Sequence, residues 1–365
     1  MLDIGFFRAM IEGYSSCFIG NAQSYSQHSK AMSLSRRNFL KFSVGSAAVL
    51  KSSTAWAEAA AKVVIPKRKF GRHADMLTVV GFGGHTLYMA GSQKEANAIA
   101  HRALDLGVNF FENAWDYHGG KAEEYMGEAL KGKRDSVFLM TKFCNYHSNH
   151  YTPDVAGAMR MLEDSLRRLK TDHLDLWMLH NVSKDDAHDT YRKEGAIEAM
   201  DLAKQQGKIR YTGFTGHTDP RIHREIIEGG YQWDATLMPV SVVGALKSRA
   251  FESEIMPLCE KHEIAVLGMK GFGGSRRTHL HERTSVQEVL QYALSYPQVC
   301  CHVVGVDKIE YVDQAVAGCA AQPFKAEERA RFAVNDAPDS PDYAAMQHGA
   351  EYYEAACSHR RQHKA

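Results

Sequence analysis

The chain has no C-x-x-C pair among its seven cysteines, which removes iron–sulfur and zinc-ribbon readings. It lacks an excess of either charge. Its 44 basic and 43 acidic side chains leave a net of +1, so no bulk pull toward nucleic acid or a membrane surface follows. The Gly-rich fingerprint of a doubly wound dinucleotide fold is missing too: Gly81-Phe82-Gly83-Gly84 has no G-x-x-G continuation or ribose-binding acid in register. No H-x-H closes the apolar run at Leu77–Gly84, as a barrel metallohydrolase would want, so no functional metal is expected. What remains is ordinary globular composition, 44% hydrophobic and 24% charged over 365 residues, enough for one large core.

The amino terminus reads as a targeting segment. Ser35-Arg36-Arg37-Asn38-Phe39-Leu40-Lys41 precedes the weakly apolar Phe42–Leu50, and Ala55-Trp56-Ala57 follows as a small-x-small cleavage pattern. Paired arginines, a modest apolar stretch and such a site resemble a twin-arginine signal peptide. The resemblance implies residues 1–57 as a signal region, cleavage after Ala57, the twin-arginine export machinery as partner and a periplasmic or otherwise exported location. Met32 is a second candidate start. The apolar stretch is too short and too rich in small residues for a stable membrane span.

From Lys62 onward, short apolar runs alternate with amphipathic segments. Strands are expected at Leu77–Val80, Val108–Phe111, Val137–Thr141, Leu174–Leu179, Ile209–Phe214, Ala235–Pro239, Ala265–Gly268 and Cys301–Val304. Helical spacing is expected between them. In Asp154–Leu169, for example, Val155, Met159, Leu162, Leu166 and Leu169 recur every three or four residues on one face. This alternation predicts an α/β fold, a (β/α)8 TIM barrel over 62–320, with the doubly wound sheet as the alternative. Val63–Phe70 and Leu77–Val80 around Gly71 suggest an N-terminal β-hairpin under the barrel. The polar 321–365 suggests a C-terminal extension of helix and loops.

In a barrel, chemistry sits at the carboxyl ends of the strands. The second strand runs into Glu112-Asn113-Ala114-Trp115-Asp116-Tyr117-His118-Gly119, the third ends on Thr141-Lys142 and the fourth on His180. These strands are consecutive, so their end groups should converge above the mouth. Phe110–Gly119, Thr141-Lys142 and Leu174-Asp175-Leu176-Trp177-Met178-Leu179-His180, three motifs in register, resemble the aldo-keto reductase family. The resemblance covers about residues 66–318. It implies a nicotinamide-dependent oxidoreductase acting on a small carbonyl or alcohol, with NADPH as cofactor and NADH as the alternative.

The chemistry asks for these residue types together. Carbonyl reduction adds a hydride to carbon and a proton to oxygen, and a tyrosine hydroxyl is a poor acid on its own. Lys142 would stabilise the Tyr117 phenolate, Glu112 would aim Lys142, and His180 would donate to the substrate oxygen. An apolar strand ending on lysine is hard to explain otherwise, because an unpaired buried ammonium is costly.

Several positions depart from the family pattern. Its aspartate is Glu112 here, one methylene longer. Its Ser-Asn after the fifth strand is Thr215-Gly216, followed by His217. Its glutamine on the sixth strand aligns with Met238, and its nicotinamide-stacking tyrosine with Met269, whose thioether can pack on a ring. Lys270, Gly271, Phe272 and Gly273, with Gly305 after the eighth strand, would complete the cofactor shell; Arg276 and Arg277 lie near in sequence. Trp115, His118, Tyr146 and His217 would wall the substrate pocket. His147/His150 and His279/His281 have spacings seen in metal sites but read as surface or pocket histidines. A metal-dependent barrel hydrolase and a catalytically idle, cofactor-binding regulatory subunit stand as the other classes.

Overall fold

The computed structural model describes residues 53–143, 154–182, 195–217, 219–243, 248–274 and 284–332. The segment bearing Arg36 and Arg37 lies outside these residues, as do Tyr146, His147, His150, Arg276, Arg277, His279 and His281. A short antiparallel hairpin comes first, β1 (Lys67–Lys69) against β2 (Met76–Thr78). Eight parallel strands follow: β3 (Val80–Gly83), β4 (Phe110–Glu112), β5 (Phe138–Phe143), β6 (Leu174–Leu179), β7 (Ile209–Thr215), β8 (Ala235–Pro239), β9 (Ala265–Met269) and β10 (Val299–Gly305). They close into a barrel in which β10 pairs with β3 and every other neighbour is consecutive. Helices run between them, and no helix among the described residues is long and apolar enough to cross a membrane.

Strand alternation builds two cores. Inward side chains such as Phe110, Met140, Met178, Leu237 and Leu267 fill the barrel, and Phe70 and Leu77 plug its bottom from the hairpin. Outward side chains meet the helices in a larger shell. Within that shell, the helix Val155–Leu169 buries Ala158, Met161, Leu162, Leu166 and Leu169, and its Asp154 N-cap accepts from the Gly157 N–H at 2.6 Å.

The first barrel strand differs from expectation. Leu77 and Thr78 belong to the hairpin, and the barrel wall begins at Val80. The reason is steric. A Cβ at Gly81 would stand 2.5 Å from the Phe110 ring, so glycines hold this strand close to its neighbours and hide its apolar signal.

Ala55-Trp56-Ala57 falls within a helix over residues 53–60. The Ala57 carbonyl accepts from the Ala61 N–H at 3.0 Å and from Arg102 at 3.4 Å. Ala60 is fully buried in the shell. The expected cleavage point thus lies inside a helical turn packed on the barrel. On the C-terminal side, the short helix Ala326–Arg329 leads to Phe332, whose ring meets Tyr292.

Candidate active site

Lys142 projects inward from the end of β5 and is 1% exposed, so its ammonium needs partners. It has three, matching its three N–H donors. The ammonium bonds to the Glu112 carboxylate, donates to the Asn113 carbonyl at 2.7 Å and donates to the Tyr117 hydroxyl at 3.3 Å. The Tyr117 hydroxyl in turn donates to Glu112 Oε1 at 3.3 Å. Register explains the meeting: Glu112 ends β4, Met140 of β5 lies opposite it, and Lys142 is two residues on, on the same face. Its neighbour Thr141 points the other way and donates to the buried Glu123 at 2.6 Å. Burial pushes the Glu123 carboxyl up, opposed by that hydroxyl and by Arg168.

His180 continues from β6, and its backbone N–H donates to the Phe143 carbonyl at 2.9 Å. Its ring stands edge-on to Tyr117, centroids 5.5 Å apart, and Nδ1 lies 3.0 Å from Asp116 Oδ1. The structure therefore brings Glu112, Tyr117, Lys142 and His180 to one end of the barrel. Asp116 joins them, a residue the sequence reading passed over although it stands next to Tyr117.

His118 has a left-handed backbone (φ 51°) and stacks between His85, at 4.5 Å, and Tyr88, at 4.4 Å. His85 also meets Tyr117 edge-on at 5.2 Å. Neither His85 nor Tyr88 was singled out from sequence. The signal was their place just past the glycines that end β3, at the chemical end of the barrel.

Trp115 also contacts the helix that follows β5. Its indole N–H donates to Asp164 at 3.4 Å and Arg168 packs over its ring at 5.3 Å, so one side of the partly buried ring lies against the helix Val155–Leu169. Met238 requires a correction. It joins the shell core whereas Leu237 beside it joins the interior, as strand alternation dictates, so Met238 faces the helices.

Among the remaining cofactor candidates, Met269 caps the interior core and stays partly exposed, and Thr215 is buried at the end of β7. Gly216 has a steric role: a Cβ there would lie 2.8 Å from the His223 ring and 2.9 Å from Val182. The family asparagine therefore has no room at this position. His217 is buried nearby. Burial, with the charges of Lys270, His180 and His223, holds its imidazole well below the usual range.

Lys270 (φ 58°), Gly273 (φ 83°) and Gly274 (φ 75°) form a tight turn after β9, closed by the Gly273 N–H donating to the Lys270 carbonyl at 2.6 Å. Gly271 is packed tightly, since a Cβ would strike Val289 at 2.2 Å. Phe272 lies partly buried against the shell. Gly305 ends β10 beside Thr86, whose hydroxyl accepts from the Val306 N–H at 2.8 Å. Burial and the nearby Lys142 charge push the Lys270 ammonium down to about 7. No group of three or more potential metal ligands gathers among the described residues.

The aldo/keto reductase family profile matches residues 79–284, more than half of the chain. The chain belongs to the aldo/keto reductase family. It is 28% identical to the uncharacterized oxidoreductase YqkF of Bacillus subtilis (strain 168) over 301 residues, which is 72% of this chain and 94% of that protein. Aldo-keto reductase AKR11C1 from Bacillus halodurans, in its holo form, superposes with a TM-score of 0.63 at 28% identity, covering 75% of this chain and 97% of that one. The aldo/keto reductase from Klebsiella pneumoniae in complex with NADP and acetate superposes with a TM-score of 0.58 at 25% identity, covering 76% and 98%. This family member thus pairs an eight-stranded parallel barrel with a buried Lys142–Glu112 pair that meets the partly buried Tyr117 at the strand ends.

Proposed function

We propose that this aldo/keto reductase reduces an aldehyde or ketone, or oxidises the corresponding alcohol, with NADPH as its cofactor and Tyr117 as general acid and base. The observation that carries the reading is the Lys142 ammonium shared among Glu112, the Asn113 carbonyl and Tyr117. Such a charge stabilises the phenolate left when the hydroxyl gives up its proton.

The cofactor fits the residues present. Lys270 has its ammonium lowered to about 7 by burial and the Lys142 charge, in a turn whose positive-φ glycines let backbone approach a ligand closely, and a phosphate there would restore its charge. Lys270, Gly273 and Gly274 would hold the phosphates, and Thr215 and Met269 would border the nicotinamide. Bound NADPH would supply the hydride that adds to the carbonyl carbon. The chain supplies the rest. Tyr117 releases its proton to the carbonyl oxygen, Lys142 stabilises the phenolate, Glu112 holds Lys142 in place, and His180 engages the substrate oxygen. In alcohol oxidation the same proton returns to Tyr117.

The test is NADPH oxidation followed at 340 nm over a panel of small aldehydes and ketones, with Tyr117→Phe beside the parent. Loss of about 10²–10⁴ in kcat, with cofactor affinity kept, is expected. A parent inert toward every carbonyl and alcohol, or a fully active Tyr117→Phe, would overturn the proposal.

We propose further that the chain is exported by the twin-arginine pathway, on the strength of Arg36-Arg37 and the apolar stretch after them. Cell fractionation should find the parent exported and the Arg36→Lys/Arg37→Lys variant retained in the cytoplasm. Equal distribution of the two would refute export by this route.

A further inference from the structure

The geometry points to Asp116 as a positioning residue: its carboxylate holds the Nδ1–H of His180 and so leaves Nε2 as the ring atom presented to substrate. The inference uses the carbonyl-reductase reading above for its kinetic consequence only.

Four observations converge on it. The backbone on both sides is fixed, since the His180 N–H donates to the Phe143 carbonyl at 2.9 Å and the Tyr117 N–H donates to the Ala114 carbonyl at 3.2 Å. The Asp116 side chain is 21% exposed and crosses from the loop after β4 to the end of β6, where Oδ1 lies 3.0 Å from His180 Nδ1. That nitrogen is buried and has no hydrogen-bond partner among the described residues, so the ion-pair contact with Asp116 is the polar contact recorded for it. Finally, the second carboxylate of this cluster, Glu112, is engaged by Lys142 and Tyr117, which leaves Asp116 as the acid facing the imidazole.

The chemistry follows from which nitrogen carries a proton. A carboxylate oxygen only accepts, so an imidazole nitrogen held against it carries N–H. With Nδ1 so occupied, Nε2 is free for the substrate oxygen, and the carboxylate balances the ring charge whenever Nε2 is protonated as well. Among the described residues, the groups recorded against this ring are Asp116 and Tyr117 from the loop after β4 and His217 from the loop after β7, with Lys142 over the Tyr117 ring and Lys270 acting on His217. Of these, Asp116 alone is an anion. The contact has ion-pair distance without in-line hydrogen-bond geometry, and contacts of this kind commonly tighten once substrate is bound. The arrangement resembles other sites in which a carboxylate orients a working histidine.

The experiment compares the parent, Asp116→Ala and Asp116→Glu as full chains saturated with NADP+. In 15N-histidine spectra, the parent should show His180 Nδ1 as a protonated nitrogen. Asp116→Ala should move that signal toward the unprotonated range, and Asp116→Glu should restore it in part. In turnover, Asp116→Ala should lose about tenfold or more in kcat while the cofactor Kd stays within about twofold. An Nδ1 signal indifferent to Asp116→Ala, or an unchanged kcat in an active parent, would overturn the inference. The spectra need no turnover, so a parent inert toward carbonyls would sink the proposed activity and leave the Asp116 assignment to be decided by Nδ1 alone.

Discussion

Gly83 leaves open the space beside the Glu112 carboxylate. The two residues are partners across β3 and β4, and a Cβ at position 83 would stand 3.0 Å from Glu112 Oε2. The acid that is one methylene longer than the family's aspartate is therefore accommodated by a neighbour with no side chain. Gly83→Ala should push the carboxylate off Lys142 and lower kcat by about tenfold. Combining it with Glu112→Asp should recover most of the loss, because the shorter acid clears the methyl. Steady-state kinetics on both variants check this, and a double mutant no better than Gly83→Ala would refute it.

Lys142 should matter to stability as much as to turnover. With Lys142 1% and Glu112 5% exposed, removing the ammonium strands a buried carboxylate. Lys142→Met should therefore cost about 3–5 kcal/mol in urea unfolding and abolish measurable reduction. Lys142→Met/Glu112→Gln should recover much of the stability and none of the activity. Recovery of both would show that the charge is there for the fold alone.

How much of this was legible in sequence depends on the distance over which each signal acts. The strands Leu174–Leu179 and Ala235–Pro239 were read to the residue because each is an apolar run bounded by polar or glycine-bearing segments. The first barrel strand was misplaced because close approach to Phe110 demands Gly81, and glycine carries no strand signal. Lys142 was legible because a lysine ending an apolar strand breaks a local rule. Asp116 was not, since its meaning comes from His180, 64 positions away on another strand. Met238 was assigned to the wrong face for a related reason. Motif alignment assigns a position, whereas the direction of the side chain depends on the local turn and on strand alternation.

Acid should unfold this protein in a defined window. His302 is buried on the outer side of β10, and burial pushes its imidazole down to about 4; burial also holds His223 at about 3. The unfolded chain takes up protons at these sites near pH 6.5, whereas the folded chain resists them until far lower. Stability is therefore complete above about pH 6.5 and falls as pH drops toward 4, where the unfolded state binds more protons. His302→Leu should flatten the decline in Tm between pH 7 and 4.5. An unaltered slope would place the acid sensitivity elsewhere.

Lys270 predicts the opposite pH sign for cofactor binding. In the free protein its ammonium sits at about 7, because enclosure and the Lys142 charge disfavour the protonated form. A phosphate held against it favours that form, so binding takes up a proton at any pH between the free value and the raised, bound one. Affinity for NADP+ should be highest below pH 7 and weaken above it, by up to about tenfold per pH unit, until the bound value is passed. Titrations between pH 7.5 and 9 are the clean range, since the 2′-phosphate is fully ionised there and contributes no slope of its own. Calorimetry in buffers of different ionisation enthalpy should register the uptake of a proton. Lys270→Met should bind more weakly at pH 7.5 and lose the pH dependence. If Lys270→Met binds NADP+ as tightly as the parent, Lys270 is not a phosphate ligand and the phosphates need another anchor; a flat profile in the parent would show instead that its free ammonium is not lowered.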